Sequence, residues 1–437
     1  MDRRPVIRYP RQQAIRVLTR VLSDHQALDE AIDHAAAESK LPPPARAWLQ
    51  EVCSGTLRWK GRLDLAIDSV ALKKKPTGWL RKALLIATYQ LIAQDRVQPG
   101  AVVSETVSEI KSKEGEAPAK FANACLRKLA EHGSAYRNLE ADPSASPADA
   151  ARWASMPEWL WRMARRDQGE EWARAYAQAS LDRPVLWARM KAGFAPPPGA
   201  EPGPIEGSFR FAAGGGTVSD LPGFREGAFF IQDISSQTLV REVSNEVHQV
   251  LGEGRLSALD LCAAPGGKSA GLAWNGFQVT ATDRPEGRDG AEAGSRFALL
   301  KQTLSRVAPE ARVVSRNEVE KLEPQDLVWV DAPCSGSGIL RRHPDVRWLR
   351  QEKEIAVLEQ AQRALLQEAW AKVRPGGFLV YSVCSILKSE GPYRAQELFK
   401  TAGSSALEVR EWSLVPQQAP HGDGFWAILI RKLPSAT

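Results

Sequence analysis

The sequence lacks a long apolar segment: no uninterrupted apolar run in its 437 residues approaches the roughly 18 residues of a membrane-spanning helix. Its first residues, MDRRPVIRYPRQ, also lack the apolar core of a secretory signal peptide. We therefore expect a cytoplasmic protein without a membrane segment. The hydrophobic share of 43% and the charged share of 25% are typical of globular proteins, and the length allows two or three domains.

Cysteine is scarce as well. The five cysteines are an odd number and show no CxxC spacing, which argues against both a disulfide framework and a zinc site. We expect no metal, and we expect free thiols in a reducing compartment. Cys53 and Cys125 lie on predicted helix faces, where a lone cysteine is most often a small buried apolar residue.

The basic excess is confined to the first third of the chain. Residues 1–140 contain 23 of the 58 Lys and Arg but only 16 of the 52 Asp and Glu, so this region carries +7 while the rest is almost neutral. Such an asymmetry favours a polyanionic partner bound by this region. An ordinary solvated basic surface is the alternative.

The N-terminal region predicts helices throughout. One predicted helix places Ala14, Val17, Leu18, Val21 and Leu22 at spacings of three and four, the pattern of a single buried face. No strand-like alternation occurs there. The predicted plan is an all-α domain at 1–137, a linker at 138–152, a small intermediate RNA-binding subdomain at 153–218 and an α/β domain at 219–437.

Short apolar strands alternate with helical patterns in the last of these domains. The predicted strands are 258–262, 278–283, 311–315, 326–331, 377–383 and 424–432. This alternation predicts a doubly wound α/β domain with a mostly parallel sheet.

A glycine-rich turn follows the first of these strands, in ALDLCAAPGGKSAGLA. Glycines let the backbone approach a ligand, and the amides at a helix start can meet an anionic group. Asp283 ends the next strand, 23 residues after Asp260, a spacing that suits an acid binding the ribose of an adenosine cofactor. The absence of GxGxxG weakens the case for NAD, and the turn alone is equally compatible with a loop that binds no nucleotide.

Two cysteines stand at the carboxyl ends of predicted strands: Cys334 in VDAPCSGSG and Cys384 in LVYSVCSI. Open α/β sheets bind their ligands at that edge. Four arginines follow the first motif, in ILRRHPDVRWLR (Arg341, Arg342, Arg347 and Arg350). They could grip the phosphates of a substrate strand, or simply form a charged loop before the next helix. We expect His343, within the same stretch, to be structural.

The motifs DLCAAPGGKS, DAPCSGSGILRRHPDVRW and GGFLVYSVCSI, preceded by FFIQDISSQ, resemble those of the NOL/NOP2/Sun family of S-adenosylmethionine-dependent RNA cytosine-5 methyltransferases. The stretch AVVSETVSEIKSKEGEAPAKFANACLRK resembles the NusB-like RNA-binding domain fused to the bacterial Sun branch of that family. The resemblance implies a Rossmann-like class I methyltransferase domain preceded by an all-α NusB-like domain. It also implies methylation of a cytosine in 16S ribosomal RNA, either naked or in an early-assembling small subunit, by what we expect to be a monomer.

The chemistry offers a role for each of two thiols. Carbon-5 of cytosine becomes nucleophilic only after a thiolate adds to carbon-6, and the adduct must later be resolved. The resemblance implies that Cys384 is the nucleophile and that Cys334 assists product release. Asp331 would hydrogen-bond the base, and Lys268 would support it electrostatically or orient the base.

The expected cofactor is S-adenosyl-L-methionine. Its predicted binding residues are Cys262, Ala263, Ala264, Pro265, Gly266, Gly267, Lys268, Asp283, Asn317 and Asp331. Asn317 stands where the family usually has Asp, so we expect weaker or altered binding of the adenine. The segment RPEGRDGAEAGSRFALL after Asp283 is also unusual for the family.

Two other function classes remain open. One is a NusB-type RNA-binding factor with an inactive methyltransferase domain, which the presence of Cys334, Cys384, Asp331 and Asp283 disfavours. The other is a DNA cytosine methyltransferase. Such an enzyme would need only Cys334 and normally a separate target-recognition domain, which the N-terminal helices do not resemble.

Overall fold

The computed structural model forms two compact units, Met1–Arg183 with Leu340–Glu352, and Pro184–Ile339 with Lys353–Thr437. The described residues are 10–95, 97–142, 144–211, 218–284 and 292–434. The unusual segment after Asp283 lies partly outside them, at 285–291, as does 212–217 of the predicted intermediate subdomain. Within the described ranges, no helix is long and apolar enough to span a membrane.

The first unit is helical, which confirms the all-α prediction for the N-terminal region. Its helices are α1 Arg11–Leu22, α2 Leu28–Glu38, α3 Pro43–Val70, α4 Gly78–Ala93, α5 Pro99–Glu114, α6 Glu116–Arg137, α7 Pro147–Trp153, α8 Glu158–Gln168 and α9 Glu170–Ala179. On α1 the predicted face is buried at Ala14, Val17, Leu18 and Val21, with Leu22 partly buried. The spacing of three and four therefore identified the core side of this helix.

The helices beyond the predicted linker belong to the same unit. The predicted linker contains most of α7, and Arg62 on α3 donates hydrogen bonds to the carbonyl of Trp153 at 2.9 Å and to Gln178 Oε1 at 2.8 Å. The structure thus divides the predicted subdomain 153–218 near Arg183, because α8 and α9 pack with the helices while the following strands belong to the second unit.

The second unit begins with a small antiparallel sheet in the order β2-β3-β1-β4. Its strands are β1 Trp187–Met190, β2 Ala200–Pro202, β3 Ser208–Phe211 and β4 Phe229–Ile231. Phe209 and Phe229 pack edge to face in its core, with ring centroids 5.5 Å apart. Strands of three or four residues are too short to show an alternating pattern, and for that reason the sequence did not predict them.

A seven-stranded sheet forms the centre of this unit, in the order β10-β11-β9-β8-β5-β6-β7. Its strands are β5 Ser257–Asp260, β6 Gln278–Ala281, β7 Arg312–Val313, β8 Gln325–Asp331, β9 Val373–Val383, β10 Ala406–Leu414 and β11 Phe425–Lys432. The five strands from β9 to β7 are parallel, and β10 and β11 add an antiparallel edge. The predicted doubly wound, mostly parallel sheet is confirmed, and β10 is a strand that the prediction missed.

The helices of the remaining chain complete the list. They are α10 Ile234–Leu251, α11 Gly267–Trp274, α12 Glu292–Val307, α13 Arg316–Val319, α14 Val346–Leu349, α15 Glu354–Lys372 and α16 Pro392–Ala402, of which α14 falls in the helical unit.

The segment Leu340–Glu352 is part of the helical unit although it follows the Pro-Cys motif in sequence. Arg347 has 0% exposure and donates hydrogen bonds to the carbonyls of Ser155 at 2.8 Å and of Arg58 at 3.2 Å. Arg341 is buried as well, at 5% exposure. The alternative in which the arginines of this stretch grip RNA phosphates therefore fails for Arg341 and Arg347, because both residues are buried and the guanidinium of Arg347 binds backbone carbonyls.

The register of the parallel strands aligns their carboxyl ends. Asp260 pairs with Trp329 across β5 and β8, and Asp331 pairs with Ser382 across β8 and β9. The residues that directly follow β5, β8 and β9 therefore meet at the same end of the sheet, where the carboxyl ends of these strands lie.

Candidate active site

The turn after β5 requires glycine. Gly266 has φ +109°, in the left-handed region, and a Cβ atom there would lie 3.3 Å from Leu300 Cδ1. The backbone of this turn is also tied to β6, since the Ala264 amide donates to Asp283 Oδ2 at 2.8 Å. The predicted cofactor turn and Asp283 thus lie together, as the sequence suggested.

Two carboxylates stand at this end of the sheet. Asp260 is fully buried: its Oδ2 accepts a hydrogen bond from Ser269 Oγ at 2.7 Å, while its Oδ1 has no hydrogen-bond partner. Burial raises the pKa of Asp260 to about 7, although the bond from Ser269 opposes this shift. Asp283 is 8% exposed.

Asp331 ends β8 between a cation and a hydroxyl. Its Oδ2 lies 2.6 Å from Lys268 Nζ, and its Oδ1 accepts a hydrogen bond from Ser382 Oγ at 2.9 Å. The indole of Trp329 donates to that same hydroxyl at 3.0 Å, which orients it. Burial is the largest single influence and would lower the pKa of Lys268, but Asp331, Asp260 and Cys384 together raise it above its usual value, so the lysine is charged at neutral pH.

The two predicted catalytic thiols come together. Cys334 Sγ and Cys384 Sγ are 3.3 Å apart, although the residues are 50 positions apart in sequence. Cys334 is 8% exposed, whereas Cys384 is more accessible. The hydrogen bond with Cys384 and burial raise the pKa of the Cys334 thiol well above its usual range. Cys334 is therefore protonated at neutral pH.

A close backbone approach holds the two cysteine turns together. The amide of Gly338 donates to the carbonyl of Cys384 at 2.9 Å, and the amide of Gly424 donates to the carbonyl of Gly338 at 2.8 Å. A Cβ at Gly338 would lie 2.1 Å from the Gly424 oxygen, a distance that no side chain can accommodate. Gly338, the second glycine of the SGSG motif, is thus needed for the close approach of the two turns.

Sequence reasoning missed a buried carboxylate beneath the thiols. Glu390 has 0% exposure and accepts hydrogen bonds from Ser335 and Ser385, each of which directly follows one of the two cysteines. The repeated Cys-Ser pair was the available signal, but nothing in the sequence indicated that both serines bind one acceptor.

The other predicted residues occupy varied positions. Cys262 is partly buried beside the sheet core, and Asn317 is exposed on α13. Cys53 and Cys125 are buried in the helical unit, as predicted. His343 is partly buried, and burial together with the charge of Arg342 lowers its pKa.

The mostly parallel sheet, with the predicted site residues at the carboxyl ends of its strands, has the Rossmann-like fold of class I methyltransferases. Residues 252–435 match the 16S rRNA methyltransferase RsmB/F family, and residues 8–131 match the NusB family. The chain therefore carries an RsmB/F-type methyltransferase domain and a NusB-type domain. It is an S-adenosylmethionine-dependent rRNA methyltransferase.

The chain matches relatives over most of their length. The chain is 28% identical to the ribosomal RNA small subunit methyltransferase B of Vibrio cholerae serotype O1, covering 97% of both proteins. It is 29% identical to that of Salmonella arizonae, covering 93% of this chain and 97% of that protein.

Solved structures support the same fold. PH0851 aligns with a TM-score of 0.67 and 20% identity over 96% of this chain and 98% of that one. NSun6 from Pyrococcus horikoshii, solved with SFG, aligns with a TM-score of 0.51 and 16% identity over 64% of this chain and 99% of that one.

The residues at the carboxyl edge fit the methyl donor. The buried Oδ1 of Asp260 without a partner and the nearly buried carboxylate of Asp283 are acceptors suited to hydroxyl and cationic groups. Gly266 and Gly267 add no side chains to this turn. S-adenosylmethionine, when bound, supplies an electrophilic methyl group on a sulfonium.

Proposed function

We propose that this protein transfers a methyl group to carbon-5 of a cytosine in 16S ribosomal RNA through a covalent adduct with Cys384. The observation that carries the proposal is the pair of thiols, 3.3 Å apart, at the carboxyl edge of a methyltransferase sheet. One thiol suffices for the attack on the base, and a second thiol close to it can assist the later release.

Cys384 is the proposed nucleophile because it is the more accessible of the two thiols. Its sulfur adds to carbon-6 of the base, and the electron pair displaced toward carbon-5 makes that atom nucleophilic. Cys384 is among the groups that raise the pKa of Lys268, so the charged lysine acts electrostatically on the place where this sulfur reacts.

Asp331 and Cys334 have the remaining roles in this proposal. Asp331, held by Lys268 and Ser382, accepts a hydrogen bond from the amino group of the cytosine and orients the base, while the charged Lys268 balances the negative charge that builds as sulfur adds. After carbon-5 has been methylated, its proton must leave and the carbon–sulfur bond must break. Cys334, next to Cys384, assists this release.

We further propose that the NusB-family domain binds the substrate RNA. Residues 1–140 carry the basic excess of +7, with 23 Lys and Arg against 16 Asp and Glu. Sequence-independent affinity for a polyanion follows from such a surface. The cytosine itself is selected in the methyltransferase unit.

A trapping experiment tests the assignment of the two thiols. Cys334→Ala should form the covalent bond to RNA but fail to release it, so a protein–RNA complex dependent on S-adenosylmethionine should survive a denaturing gel. Cys384→Ala should give no complex and less than about one per cent of wild-type methylation, because loss of a covalent nucleophile costs several orders of magnitude. Cys384→Ala should still bind the cofactor.

Cys125→Ala is the matched control, since this thiol is buried in the helical unit, and it should behave like the wild type. If Cys334→Ala formed no covalent complex and Cys384→Ala did, the two thiols would have the reversed roles, which are those of the DNA enzymes.

Bisulfite sequencing of 16S ribosomal RNA from a deletion strain identifies the cytosine. An unchanged pattern would favour the alternative of an RNA-binding factor with an inactive methyltransferase domain.

A further inference from the structure

The carboxylate of Glu390 is the common acceptor for both cysteine turns. Its Oε2 accepts hydrogen bonds from Ser335 Oγ at 2.5 Å and from Ser385 Oγ at 2.6 Å. Its Oε1 accepts from the Ser335 amide at 2.8 Å and from Gln362 Nε2 at 3.2 Å. Gln362 also donates to the carbonyl of Pro333 at 2.9 Å, so this network includes the residue before Cys334.

The two serine donors of this network are the sequence neighbours of the two cysteines. Ser335 follows Cys334 and Ser385 follows Cys384, so one carboxylate oxygen binds the residue next to each thiol. Both serines are at most 2% exposed, and Glu390 is fully buried. A carboxylate has only acceptor sites and can satisfy all four donors at once, which no neutral side chain of this size can do.

We propose that Glu390 is a positioning residue that holds the thiols of Cys334 and Cys384 at reacting distance by binding the serine beside each of them. The value of this spacing for catalysis rests on the function proposed above. The spacing itself is a property of the protein without RNA or cofactor. Misplacement of reacting groups by about 1 Å can cost on the order of 100-fold in rate, so a variant of Glu390 should impair the methyl transfer.

The proximity of the thiols can be measured directly by oxidation. With diamide, the two thiols lose two electrons and two protons and form a Cys334–Cys384 disulfide, while the diazene bond of diamide is reduced to a hydrazine. In cofactor-free Glu390→Gln, we expect this disulfide to form at least about tenfold more slowly than in the wild type, as quantified by mass spectrometry of the linked peptides.

The sign of the change separates positioning from an electrostatic effect. The negative charge of Glu390 contributes to the raised pKa of Cys334, so its removal alone would ionise this thiol more readily and accelerate oxidation. Slower oxidation would therefore have the opposite sign to this electrostatic effect and would indicate lost positioning. Unchanged or faster oxidation in Glu390→Gln would overturn the proposal.

Glu397→Gln is the matched control. Glu397 lies on α16, where it pairs with Arg363, and its side chain is 38% exposed. This variant should oxidise and methylate like the wild type. If it slowed oxidation as much as Glu390→Gln does, the effect would be general to this region and the proposal would be wrong.

A second variant keeps the test decisive if Glu390→Gln does not fold. Ser385→Ala removes one donor and leaves Glu390 the other three, and it should slow disulfide formation at least about threefold. Single-turnover methylation by either variant should fall about tenfold or more, while the KM for S-adenosylmethionine changes less than about twofold. Wild-type protein that makes no 5-methylcytosine would refute the proposed function, whereas the oxidation rates would still decide the role of Glu390.

Discussion

Replacing Lys268 by methionine tests the electrostatic centre of the site. Methionine keeps the length and apolar stem of lysine but removes the ammonium group that lies 2.6 Å from Asp331 Oδ2. The Lys268 side chain is 11% exposed and that of Asp331 is 30% exposed, so the pair is largely but not fully removed from water. In the variant, Ser382 remains as a hydrogen-bond donor to the carboxylate.

The expected loss follows from this partial burial. Breaking a buried ion pair by removing one partner costs about 3–5 kcal/mol, and exposure of Asp331 together with the bond from Ser382 reduces this to about 2 kcal/mol. Burial is the largest single influence and would lower the pKa of Lys268, but Asp331, Asp260 and Cys384 together raise it. The contribution of the pair is therefore complete below about pH 10 and is lost only as the pH rises through the raised pKa.

The assay is urea unfolding followed by tryptophan fluorescence, combined with single-turnover methylation. Lys268→Met should lower the free energy of unfolding by about 2 kcal/mol, equally at pH 6.5 and pH 8.5, and reduce the methylation rate about 100-fold. Lys400→Met, at an exposed position on α16, serves as the control. A change below about 0.5 kcal/mol, with activity retained, would refute the view that the Lys268–Asp331 pair organises the site.

Three further outcomes are expected. Burial raises the pKa of Asp260 to about 7, so its ionisation destabilises the fold progressively as the pH rises from about 4 to 7. Asp260→Asn should therefore gain up to about 3 kcal/mol relative to wild type between pH 5 and pH 8 in urea unfolding, and a pH-independent difference would contradict this. Arg347→Met should lower the melting temperature sharply, with a loss of about 3 kcal/mol, because buried carbonyls lose their donor. A variant as stable as the wild type in calorimetry would show that these hydrogen bonds contribute little. RNA affinity of the full chain should fall steeply between 50 and 200 mM salt in filter binding, and a flat response would argue against a phosphate-binding role for the basic region.

Local patterns were sufficient for much of the fold. The spacing of Ala14, Val17 and Leu18 identified a helix face, since helical periodicity is written into neighbouring residues. The apolar runs that became β5, β6, β8, β9 and β11 likewise predicted the main sheet. The cofactor turn and both cysteine turns were recognisable because each is a short continuous motif with its own backbone requirements.

Only the tertiary structure decided how those motifs meet. The 3.3 Å separation of Cys334 and Cys384 depends on the pairing of β8 with β9 and on the close approach of Gly338 to Gly424. Glu390 accepts hydrogen bonds from a residue 55 positions away, and no local pattern distinguishes such a glutamate from a solvated one.

The arginines show most clearly what local sequence patterns cannot predict. From sequence, Arg347 was one of four basic residues suited to phosphate binding, whereas in the structure it is fully buried and bound to carbonyls of the helical unit. Composition determines which charges a chain carries. Whether a charge faces water or satisfies buried carbonyls is decided by packing between segments far apart in sequence, because the cost of burial depends on the partners that the fold supplies.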